Sequence, residues 1–146
     1  MHWLDARGGM EAKGAAVGGI QEFMSPRFLY KFHKANGGTQ AKGDPIQCVP
    51  MGDILDMLGM RHINYWSLDV EGAELEIVKS LDWSKFKVDV MSVEADNFNT
   101  TKNQLVRQHL ESSGMKFDHH TDSGNEDWFV GPNFVPSTMP GYQVQV

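Results

Sequence analysis

Between Ile63 and Val70 the chain is apolar apart from Asn64 and Ser67, until Asp69, Glu71 and Gly72 close the run. The period then changes: Ala73, Ile77, Val78 and Leu81 fall at helical spacing, which predicts a strand followed by a helix lying over a sheet. The same alternation repeats on both sides. Upstream, "IQCVP" predicts a short strand closed by Pro50, and "GDILDMLGM" a helix with Ile54, Leu55 and Leu58 on one face and Gly59 at its left-handed end. Downstream, Val88, Val90, Met91 and Val93 mark a second buried strand. A helix follows, capped by Thr100 and Thr101, lined by Leu105, Val106, His109 and Leu110 and ended by Gly114. "MKFDHH" and "DWFVGP", separated by "TDSGNE", predict a hairpin.

Strands alternating with helices at this spacing imply an α/β fold. The sheet is expected to be mostly parallel with helices on both faces, and the C-terminal hairpin to add an antiparallel strand. Residues 46–134 carry that pattern. Residues 1–45 do not: Gly, Ala and Lys dominate "ARGGMEAKGAAVGGI" and "KANGGTQAKGDP", so this region is expected to be irregular or poorly ordered. Its exception is "IQEFMSPRFLYKFHK", where Phe28, Leu29 and Phe32 suit a helix begun at Ser25–Pro26. The proline-punctuated tail, 135–146, is expected to be irregular.

A length of 146 residues allows one domain with a real core. A net charge of -6 with no basic stripe argues against a nucleic-acid backbone or an anionic membrane surface as partner. Cys48 is the single cysteine, which excludes a disulfide framework. The N-terminus lacks the charge and apolar pattern of a secretory signal, and no run is long enough to span a bilayer. The default expectation is a cytoplasmic protein with a reduced thiol.

In open parallel sheets, ligands bind beyond the carboxyl ends of the strands. Asp69 and Glu71 stand at that end of one predicted strand, and Glu94, Asp96 and Asn97 at that end of the next. Neighbouring strands lie about 5 Å apart, so the polar groups would share a rim. Taken singly, each has an ordinary reading: Asp69 as a helix cap, Glu71 and Glu74 at the positive helix end, Asp96–Asn97 as a turn. The paired set favours a site. His119, His120 and Asp122 suggest a metal, but adjacent strand residues face opposite ways, which favours a plain hairpin.

Three stretches in this order, "CVPMGDILDMLG", "HINYWSLDVEGAELEIVKSLDW" and "VDVMSVEADN", resemble the second half of an FkbM-family methyltransferase domain, over about Ile46 to Phe134. Ser67 departs from the family pattern, where many relatives have Lys. The resemblance implies a Rossmann-like sheet of the class I methyltransferase type. It also implies methyl transfer from S-adenosylmethionine to a hydroxyl of a sugar or small molecule. By the same match, Asp69, Glu71, Gly72 and Glu74 would face the cofactor, and Asp69 and Glu94 would serve catalysis as proton acceptors. Asp69, Asp96 and Asn97 form an alternative set for a divalent cation, a hard ion that prefers oxygen ligands.

A glycine-rich cofactor turn behind an apolar strand is not found in residues 1–45. The chain therefore reads as the later half of such a domain, in which the strand at 63–70 would be central. Left with an unpaired edge, that strand would invite self-association. A non-catalytic remnant acting as an interaction module is the alternative to an enzyme.

Overall fold

The computed structural model describes residues 1–4, 18–33 and 43–135. The Gly/Ala/Lys-rich stretches 5–17 and 34–42 and the tail 136–146 lie outside the described residues, and with them the expectations made for those segments.

The larger sheet has four strands: β4 (His62–Leu68), β5 (Lys87–Glu94), β6 (Lys116–Thr121) and β7 (Glu126–Val130), in the order β4-β5-β7-β6. β4 and β5 run parallel, joined by helix α3 (Glu74–Lys79); β7 is antiparallel to both β5 and β6. One parallel pair against two antiparallel ones corrects the expected mostly parallel sheet. The cause lies in the connections. A four-residue loop folds β7 straight back along β6, and β7 inserts beside β5 where a crossover helix would otherwise have been needed.

Trp66 and Leu68 on β4, Met91 and Val93 on β5 and Phe129 on β7 face the same way through the register of the strands. They pack with Val78 of α3 and with Val106 and Leu110 of helix α4 (Thr100–Ser112) into the main core. Asn99 caps α4 by accepting from the Lys102 N–H at 3.0 Å, a place the sequence pattern gave to Thr100 and Thr101. Leu105, expected inside, is exposed. On helix α2 (Met51–Met57) only Leu55 is buried among Ile54, Leu55 and Leu58, and Gly59 takes φ 64 just past its end. Residues 46–50 form no strand, and Tyr65, on the strand expected to be buried, is 52% exposed because it alternates with Trp66 and Leu68 and so lies on the face away from the main core, stacked on Trp128 of β7.

The described part of residues 1–45 is ordered into elements. β1 (His2–Leu4) pairs on one side with β2 (Gly19–Ile20) and on the other with β3 (Asp44–Pro45), both antiparallel. Helix α1 (Pro26–Phe32) starts where Ser25 accepts from the Phe28 N–H at 3.1 Å. Phe28 joins Leu4 and Met24 in a second small core that reaches Phe98, in the loop after β5. This lobe therefore packs against the carboxyl end of the larger sheet.

Candidate active site

After Leu68 the chain turns sharply, with Glu71 at φ 55 and Gly72 at φ 110. Glycine is required at the second position: a Cβ there would lie 2.5 Å from the carbonyl oxygen of Phe23. Glu71 holds a left-handed conformation that costs an ordinary residue about 1 kcal/mol or more, so something must hold it. Glu74 does. It is fully buried, and its Oε1 accepts from the N–H groups of Val70 (3.2 Å) and Gly72 (3.1 Å) while Oε2 accepts from Lys102 Nζ at 2.5 Å.

Asp69, Glu74 and Glu94 each bring one carboxyl oxygen within 4.8 Å of the other two. Glu94 ends β5 and is paired in register with Glu126. Burial, then the charges of Asp69 and Glu74, push the Glu94 carboxyl up to about 8. The same causes, burial first, push Glu71 up to about 7. Asp69 is also raised, by burial and then by Glu74 and Glu126. Lys102 works against the shift at Asp69 and Glu71 but does not overcome it.

Of the residues expected to hold a cation, Asp69 belongs to this cluster, and Asp96 and Asn97 do not. Asp96 turns back to accept from the Phe98 N–H at 3.0 Å, and its carbonyl accepts from Asn103 Nδ2 at 2.7 Å. Asn97 is exposed, with its carbonyl accepting from Arg27 at 3.3 Å. Glu74 is the third acid of the cluster, but Lys102 already occupies it. Its side chain, expected to face the cofactor, is sealed inside and holds the turn instead. His119 pairs with Asp118 and stacks on Trp128, whereas His120 pairs with Asp127 at 2.8 Å, so the two histidines serve different neighbours.

Asp69 and Glu71 stand on the wall of a pocket of about 830 Å³. Its other walls are mostly apolar: Trp3, Ile20 and Phe23 from the N-terminal lobe, Val49 before α2 and Met51 at its start, and Val70 and Ile77. Gly18 and Gly19 form one side, and a Cβ on Gly19 would lie 3.0 Å from that of Glu71. Lys79 and Glu76 stand at the far side. Glu94 and Asp96 do not reach this pocket. They line a small adjoining cleft with Phe23, Phe28, Glu71 and Lys102, so Glu71 borders both spaces.

The family model described as the methyltransferase FkbM domain matches residues 2–122, most of the chain. The chain belongs to the FkbM methyltransferase family. The FkbM match starts well before Ile46 and takes in β1, β2, α1 and β3, the elements whose residues close the pocket. It stops short of β7. As a methyltransferase family, FkbM implies S-adenosylmethionine as methyl donor. No curated protein and no solved structure matches the chain.

Sequence reading missed the pocket's N-terminal wall because Trp3, Ile20 and Phe23 are scattered among glycines with no period. Lys102 gave no signal either: a lysine in the first turn of a helix reads as a solvent group.

Proposed function

We propose that this chain is a methyltransferase acting on a hydroxyl oxygen, with the large pocket taking the methyl donor and the acceptor meeting it at Asp69. The observation that carries this is the placement of Asp69 and Glu71 on the wall of a mostly apolar pocket, beside Glu74 and Glu94, with Lys102 paired to Glu74. Such a site favours a ligand with a flat apolar body and a positive charge. S-adenosylmethionine has both, an adenine ring and a sulfonium, and the pocket's volume and aromatic walls fit it. When bound, that cofactor supplies an electrophilic methyl group.

The protein's part is positioning and proton handling. Trp3, Phe23 and Ile77 supply apolar walls against which the donor's flat body can pack. An attacking hydroxyl must lose its proton, and Asp69 accepts it at a carboxylate oxygen. Glu94, pushed up to about 8, keeps its proton at neutral pH and so does not act as base. A divalent cation is not needed for this scheme, and Lys102 already neutralises one of the three acids that could ligate it.

Titration calorimetry with S-adenosylmethionine tests the proposal. Saturable binding that is weakened by Asp69→Asn or Glu71→Gln supports it. Absence of heat from a folded chain would favour the alternative, a non-catalytic interaction module.

A further inference from the structure

The buried pair of Glu74 and Lys102 joins two parts of the chain that are 28 residues apart. Glu74 lies in the first turn of α3 and Lys102 in the first turn of α4, and both side chains are buried, at 0% and 7% exposure. Removing two charges from water is costly unless hydrogen bonds compensate. The compensation is specific. One oxygen of Glu74 faces the lysine, and the other receives two backbone N–H groups of the turn that carries Asp69 and Glu71. The main core supplies ample apolar packing nearby, so an apolar pair would have filled this space at less cost. A paired charge does something an apolar side chain cannot: it ties the amides of Val70 and Gly72.

We infer that Lys102, acting through Glu74, is a positioning residue that holds the turn after β4 in the left-handed form presenting Asp69 and Glu71 to the pocket. Three facts converge on this. Glu71 at φ 55 is in a conformation the isolated chain disfavours. The N–H groups on both sides of it end on the same carboxyl oxygen. The other oxygen of that carboxyl group is fixed by a lysine from a different element, whose own N–H is held by the Asn99 cap. Lys102 touches no ligand in this scheme; it sets where the carboxylates that do so stand. The inference rests on the proposed use of the pocket for its functional half and on the turn geometry alone for its structural half.

Glu74→Gln is the gentler variant, because Lys102 keeps Asp69 and Glu71 as charged neighbours. An amide cannot accept at both ends, so either the two turn amides or the lysine must lose a partner. Lys102→Met leaves a buried carboxylate and is the harsher variant; the double variant Glu74→Gln with Lys102→Met removes both charges. Amide hydrogen exchange without ligand is the first readout. Val70 and Gly72 are expected to lose protection in Glu74→Gln while the amides of β5 keep theirs. The second readout is binding of S-adenosylmethionine, expected to weaken about tenfold or more in Glu74→Gln and in Lys102→Met. The double variant is expected to be no worse than the weaker-binding single one, as for a pair acting as a unit. Unchanged protection at Val70 and Gly72 in folded Glu74→Gln overturns the inference. So does a double variant whose losses simply add. If the wild-type chain binds no S-adenosylmethionine, the proposed function fails, and the exchange readout still decides the role of the pair.

Discussion

A carboxyl group that loses water and gains negatively charged neighbours keeps its proton to higher pH, and the acids around Asp69 differ in how far this goes. Glu94 reaches about 8 and Glu71 about 7, from an ordinary 4.5. Below about pH 4.5 these groups are protonated in both folded and unfolded chains and have no effect. Between there and 7–8 the folded chain holds more protons, so stability falls as pH rises. Thermal unfolding is therefore expected to show a Tm that declines from pH 5 to 8, and Glu94→Gln is expected to flatten the decline and add about 1–2 kcal/mol at pH 8. Binding runs the other way. A cationic donor prefers ionised Glu71, so its affinity is expected to rise as pH passes about 7, and calorimetry on Glu71→Gln should show that slope removed. Asp69→Asn is expected to leave the far-ultraviolet circular dichroism unchanged and to cut methyl transfer at least a hundredfold, as loss of a general base does. The placement of Asp69, Glu71 and Glu94 at the ends of neighbouring strands was legible because the strands are. Glu74 was legible as part of the motif but not in its role, since sequence spacing does not reveal which carboxylate is turned inward.

At the scale of elements, hydrophobic period predicted the parts of the chain whose partners are close in sequence. β5, α4 and the β6–β7 hairpin lie where alternation and helical spacing put them. The period overstated burial on α2 and β4, because Tyr65 lies on the face of β4 away from the main core and Ile54 and Leu58 of the α2 pattern are exposed. The glycines after these elements differ in a way that can be measured. Gly59 at φ 64 meets nothing within 4 Å, so Gly59→Ala is expected to cost only the left-handed backbone penalty, about 1 kcal/mol. Gly72→Ala adds a clash with the Phe23 carbonyl and should cost clearly more, with loss of donor binding. Equal unfolding free energies for the two variants would mean that the N-terminal lobe does not bear on this turn.

For the molecule as a whole, β4 has β5 as its one strand neighbour among the described residues, and Tyr65, Met57, Leu58 and Met60 nearby are exposed. Self-association through this edge is therefore expected. Sedimentation should show a mass that grows with concentration, and Asn64→Lys, which places a charge on the edge strand, should reduce it. The lobe built from β1, β2, α1 and β3 was the least legible part of the chain. Its core depends on Phe98 from far along the sequence, a contact no local pattern announces. Phe23 and Phe28 of this lobe roof the cleft in which Glu71 and Glu94 retain their protons. Lifting that roof would admit water, let both acids ionise and discharge hydrogen ions to the solvent. Alkaline buffer therefore weakens the seating of the lobe on the sheet, and acidic buffer strengthens it.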